Sequence, residues 1–182
     1  MNRQTSKLRQ DHRINRIPIY WILLILLSCR SFTGADLAAR FELVAGDGGG
    51  SFDRHYMVVR SGRRMDSMVL VAPATIRASL TGFAGNLILE CLATPVFNVG
   101  DGMRMDVLLK NAAGERLVYT RYFDAARRAE DREWMPLSIP LDVPGGSASE
   151  LIIRLSAGPQ GDLVADWLAL ASVRLTQRTQ SP

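Results

Sequence analysis

Few side chains in this 182-residue sequence can carry chemistry, and their spacing removes most reactions at once. There are two histidines, His12 and His55, and two cysteines, Cys29 and Cys91. Acyl transfer needs a nucleophile with a base and an oxyanion site beside it. With His12 in a leader, His55 alone does not make a triad, and no G-x-S-x-G elbow is present. A zinc centre of several imidazole or thiolate ligands is excluded by the same scarcity. Gly48-Gly49-Gly50-Ser51 lacks the lysine–hydroxyl pair of a phosphate cradle and reads as a flexible inter-strand loop.

Acids are more plentiful. Asp101, Asp106, Asp124, Asp131, Asp162 and Asp166 lie mostly beside glycines or in turns, where aspartate bonds backbone N–H groups. That placement favours loop-capping over paired-carboxylate hydrolysis, and the chain reads as no enzyme. The one cofactor these acids suggest is a structural calcium ion, since hard oxygen ligands from loops suit it. Asp47 and Asp53 in the first long loop, with Asp166 near the end, form the expected site. None of them fits a fixed-spacing calcium motif.

The charge of +4 sits at one end of the chain. Residues 1–16 carry Arg3, Lys7, Arg9, Arg13 and Arg16 against Asp11, so the rest is neutral. A neutral domain has no summed field to attract phosphate backbones, so nucleic acid is not an expected partner. Ile17 to Leu27 is apolar and too short to span a bilayer, which needs about 20 residues. A basic segment before such a core is the pattern of a secretory signal. Small residues at Thr33 and Ala35 suit cleavage before Asp36, giving a signal of 1–35 and a domain of 36–182. The alternatives are the lipobox-like Leu26-Leu27-Ser28-Cys29, with a signal of 1–28 and a lipid on Cys29, and a signal retained as an uncleaved anchor. Cleavage or lipidation leaves Cys91 alone, a buried apolar residue in the alternating NLILECL. The expected location is exported: periplasmic, surface-bound or secreted, with membrane contact only through the signal or lipid.

Beyond the leader, apolar residues alternate with period two. Met103, Met105, Val107 and Leu109 do so, as do Leu151, Ile153 and Leu155, each run ending in turn residues. About nine strands are expected, near 37–44, 55–60, 66–72, 75–81, 86–92, 103–110, 115–122, 135–141 and 150–157, with a closing strand near 165–176. This is an all-β fold, a jelly-roll β-sandwich of antiparallel strands behind an N-terminal signal helix. Pro136 and Pro140 remove donors on the same side of one strand, which places 135–141 at an edge. Phe123 to Glu133 is the one stretch with helical preference. Trp134 and Trp167, next to alternating strands, are expected in the core, which leaves no evident aromatic platform.

From about residue 66 to 176 the landmarks resemble the galactose-binding-like, or carbohydrate-binding-module-like, jelly-roll domains of exported and membrane-associated bacterial proteins. The carrying segments are VLVAPATIRASL (69–80), GDGMRMDVLL (100–109), YTRYFDAARRAEDREW (119–134), PLSIPLD (136–142) and LIIRLSAGPQGDLVADWLALASVRL (151–175). Leu170 stands where a second late tryptophan is usual, and 93–99 departs from the pattern. The resemblance implies a non-catalytic accessory module binding envelope or extracellular carbohydrate. Loops at one end of the sandwich would form the site, with Arg54, His55, Tyr56, Asp101 and Arg132 as contacts. The alternative is a structural module that packs on an envelope protein through a sheet face or the 135–141 edge.

Overall fold

A computed structural model describes residues 35–44, 49–145 and 148–177. The leader, Cys29 and Asp47 lie outside them. The described residues form eleven strands and no α-helix. Two strands are two residues long: β1 (Ala35–Asp36) and β2 (Glu42–Leu43). The nine long ones are β3 (Ser51–Arg60), β4 (Arg63–Val71), β5 (Ala74–Ser79), β6 (Gly85–Pro95), β7 (Met103–Asn111), β8 (Gly114–Phe123), β9 (Met135–Val143), β10 (Glu150–Ala157) and β11 (Trp167–Gln177). They match the nine expected strands with their closing one, except near the start. There, a single strand over 37–44 was expected, and β1, a 3-10 turn (Ala38–Arg40) and β2 take its place. Leu37 and Phe41 are fully buried while Ala39 between them is exposed, so the segment is not a simple alternating strand.

Sheet A runs β3-β4-β11-β6-β9 with β1 added on β11, and sheet B runs β2-β5-β10-β7-β8. All neighbours are antiparallel. After the β3–β4 hairpin every connection crosses between the sheets except the β7–β8 hairpin. This is the jelly-roll sandwich that the alternation implies. Inward residues of both sheets, among them Leu70, Ile76, Leu89, Met105, Ile139, Ile153 and Leu168, make one continuous core. Cys91 belongs to it, and burial pushes its thiol up to about 12, which disfavours the nucleophilic thiolate. β9 is an edge strand, as its prolines require, with Pro136 level with Leu92 and Pro140 level with Ile88. The expected helical stretch makes one 3-10 turn, Ala129–Arg132.

The β3–β4 hairpin is not a flat extension of sheet A. Its turn is Ser61-Gly62, both at positive φ, closing on the pair Arg60 and Arg63. Pro95 stands level with Leu168, and Leu168 with Leu70. Seven residues separate Arg63 from Leu70, so a flat ladder would hold Arg60 roughly 23 Å from that row. Yet Arg60 Nε donates to the Pro95 carbonyl at 3.0 Å, and Trp134 Nε1 donates to the Arg63 carbonyl at 3.4 Å. The far half of the hairpin therefore folds back over the outer face of sheet A. Beneath it Val58, Val69 and Ala169 form a second small apolar cluster, bordered by Val96, Trp134 and Trp167.

Gly50 corrects the expectation of a loose glycine loop at its C-terminal end. A Cβ there would lie 1.8 Å from the Pro73 carbonyl oxygen and 2.6 Å from that of Val71. Backbone cannot yield as a flexible side chain can. Gly50→Ala is expected to cost about 1–3 kcal/mol or more, in the range of overpacked sites, measured by urea unfolding. The same substitution at Gly49 is a useful comparison, because a Cβ there meets nothing within 4 Å and only its φ of 90° opposes it.

Candidate functional site

Two loops meet at one end of the sandwich. Asp101 lies in the β6–β7 connection between Gly100 and Gly102, both at positive φ, which lets the chain turn sharply around it. Asp166 ends the β10–β11 connection, and its own carbonyl accepts the Ala72 amide at 2.9 Å. Both carboxylates are buried, Asp166 completely. The Gln160 amide donates to Asp101 Oδ2 at 2.6 Å, but among the described residues Asp101 Oδ1 and both Asp166 oxygens have no hydrogen-bond partner. Gly158 packs directly on this pair, since a Cβ there would fall 2.6 Å from the Asp101 carboxylate. Burial first, and then the charge of Asp101, push the Asp166 carboxyl up to about 6. The Gly158 amide offsets part of that rise without making a hydrogen bond, and Asp162 adds to it.

Three buried carboxylate oxygens without a hydrogen-bond donor suit a hard cation. The donor set differs from the expected one. Asp53 lies on β3, exposed, with Oδ1 accepting the His55 amide at 2.9 Å. The carboxylate whose charge bears most on Asp166 is Asp101. Among the described residues no group of three or more histidine, cysteine or acidic side chains converges.

Beside this pair lies an aromatic cluster drawn from three separate segments. Trp167 opens β11, Phe97 comes from the β6–β7 loop and Tyr56 from β3. Phe97 meets the Trp167 ring edge-on at 5.3 Å between centroids, and Tyr56 does so at 6.3 Å. Tyr56 is 39% exposed and Phe97 40%, while the indole between them is half-buried. Trp167 was expected in the core. Its outward position follows from strand parity, because Leu168 and Leu170 point inward and Ala169 outward. Phe97 carried no signal in the sequence, lying in a loop outside any alternating run.

The other expected contacts scatter. Arg54 and His55 line a cavity of about 160 Å³ with Asp36, Asp66, Ser67 and Ser172. The guanidinium of Arg54 donates to the Phe41 carbonyl, Nε at 3.1 Å, and His55 Nδ1 lies 3.2 Å from Asp66 Oδ2. Arg132 holds the loop before β9 together, donating to the carbonyls of Ala125 at 2.7 Å and Ala126 at 2.9 Å. Most remaining acids of the sequence reading are fully engaged in the fold. Asp131 accepts from Arg121 and the Asp124 amide, and Asp106 accepts from Thr120 and pairs with Arg104. Asp124 and Asp162 each accept a backbone amide within their own turns. Tyr122 donates its hydroxyl to the Asp101 carbonyl, which ties β8 to the acid-bearing loop.

Comparison with known proteins agrees with this architecture. No family model matches the chain. Over 68 residues, 37% of this chain, it is 29% identical to an uncharacterized protein of Archaeoglobus fulgidus, and the match spans 17% of that protein's length. Among solved structures it is similar to the CBM51 module of Clostridium perfringens GH95 in complex with methyl-galactose. The TM-score is 0.51 at 15% identity, covering 74% of this chain and 92% of that one. It is also similar to the CBM22-1–GH10 modules of Clostridium thermocellum endo-1,4-beta-D-xylanase 10B, complexed with xylohexaose. That TM-score is 0.52 at 11% identity, covering 81% of this chain and 28% of that one. A third is the CBM51-2 and INT domains of Clostridium perfringens ZmpB, with a TM-score of 0.52 at 12% identity over 75% of this chain and 29% of that one. At such identities the likeness is one of fold: this chain shares the β-sandwich architecture of those carbohydrate-binding modules.

Proposed function

We propose that this domain is a non-catalytic, exported accessory module that binds carbohydrate of the envelope or extracellular space. The observation that carries the reading is the Tyr56–Trp167–Phe97 cluster, three rings assembled from distant segments and partly exposed at the loop end of the sandwich. A flat apolar surface with a few polar groups beside it is how proteins hold a sugar ring. The fold neighbours support it, one holding methyl-galactose and another xylohexaose. Export rests on the leader, cleaved after Ala35 or lipidated at Cys29. Among the described residues no helix is long and apolar enough to cross a membrane.

The rival reading, a module that packs on an envelope protein, draws on β3, whose outer edge is unpaired among the described residues and whose Met57 and Val59 are exposed. The β9 edge suits it poorly, because Pro136 and Pro140 cannot donate to an added strand. A glycan panel including methyl-galactose and xylohexaose, probed with the purified chain, separates the two. Saturable binding weakened at least tenfold in Trp167→Ala, with the unfolding midpoint little changed, is the expected result. No binding from folded protein sinks the carbohydrate reading.

Asp101 and Asp166 would hold calcium, which would cross-link the two loops flanking the aromatic cluster. The pH dependence without metal has a definite sign. The Asp166 pKa is raised in the folded state, so between about 4, its ordinary value, and about 6 the folded chain holds a proton that the unfolded chain has lost. Stability therefore falls as pH rises through that window. In chelator, the wild-type melting temperature should drop relative to Asp166→Asn between pH 4 and 6, then run parallel above it. Millimolar calcium should raise the wild-type value at pH 7 and do nothing for Asp166→Asn. A calcium shift that survives in Asp166→Asn would remove this pair as the site.

A further inference from the structure

We infer that the aromatic site takes the terminal sugar of a glycan and not an internal run of a chain, an inference that rests on the carbohydrate reading above. A polysaccharide held along its length needs an open floor across several strands, with stacking surfaces repeated along it. The outer face of sheet A would offer such a floor, and the folded-back hairpin covers it. Ser67, Val69, Thr94, Ala169 and Ala171 all point outward from β4, β6 and β11, yet all are buried. Val58 packs down on Val69 and Ala169, Arg60 is clasped by the Pro95 carbonyl, and Trp134 closes the far side against Arg63.

The rest of the outer surface does not replace that floor. The uncovered half of sheet A carries a groove of about 340 Å³ where β11 bulges at Ser172. It is lined by Glu90, Leu92, Pro136, Ser138, Ser172 and Arg174, with no aromatic ring, and the Arg174–Glu90 pair at 2.8 Å lies across two of its strands. The outer face of sheet B carries cross-strand ion pairs, Arg77 and Lys110 on Glu150 and Arg154 on Glu115, around the aliphatic row Ile152, Leu108 and Leu117. Its Tyr122 ring is held by the Asp101 carbonyl and the Arg128 guanidinium. Trp134, the further ring bordering the small apolar cluster, is tied to the Arg63 carbonyl as part of the hairpin's closure. Among the described residues Tyr56 and Phe97 therefore continue into no repeated row of stacking rings along the strands. Both stand against a single indole, and the roof bounds them on the β3 side.

The test is the chain-length dependence of affinity, measured by calorimetry on the full chain with galactose and xylose series from the methyl glycoside to the hexasaccharide. Terminal recognition predicts that the hexasaccharide binds within about threefold of the methyl glycoside. A gain of tenfold or more along the series, with saturable binding, overturns this inference and leaves the carbohydrate reading standing. No binding across the series and the wider glycan panel overturns both. In Arg60→Ala, which removes the clasp, the ratio of hexasaccharide to methyl-glycoside affinity is expected to rise at least threefold. An unchanged ratio, with the amides of 57–66 exchanging faster than in the wild type, overturns the hairpin's part in the restriction.

Discussion

The two sheets must dry their inner faces against each other, and the rest of the structure follows from how the chain meets that demand. Strand parity assigns every residue of a strand to one face, so a run such as LIIRLS commits three apolar side chains inward before any contact forms. Crossing from sheet to sheet at nearly every connection puts sequence-distant strands side by side. Residues that end those strands then collect at the sandwich ends. Asp101, Gly158 and Asp166 come together this way, although the connections bearing them are more than fifty residues apart. The core thus fixes the loop end without contributing an atom to it.

At that end two demands oppose each other. Burying carboxylates without partners is costly, and the raised Asp166 carboxyl records the cost. The surrounding loops offer little relief, because Gly158 has been packed too closely on Asp101 for any side chain to intervene. A proton on Asp166 relieves that cost, and the calcium ion proposed above would do the same. Phe97 shares its connection with Asp101 and Trp167 follows Asp166, so the loops that carry the acids also carry two of the three rings.

The fold was legible in the sequence because period-two alternation and turn residues are local signals. Pro136 and Pro140 placed β9 at an edge by the donors they lack, and the strands from β4 to β11 lie close to where alternation set them. The site was less legible because it depends on register. Arg54, His55 and Tyr56 are consecutive, yet a bulge between Asp53 and Tyr56 sends Tyr56 to the aromatic cluster and leaves Arg54 and His55 on a separate cavity. Asp166 was named as a cation ligand, but its partner was assigned to the first loop when the topology brings Asp101. The folded-back hairpin had no signal at all, since Val58 and Arg60 read as ordinary strand residues until their distant partners are known.

Ala35 lies opposite Leu175, so the chain enters and leaves the sandwich at adjacent points on antiparallel strands. Tension between a membrane tether and anything attached beyond β11 would load that ladder from its end, opening its hydrogen bonds one after another and not all at once. The two-residue β1 would give first, and Leu37 and Phe41 would be drawn from the core behind it. A domain pulled in this way is mechanically soft, and fixed at one end only it carries no such load.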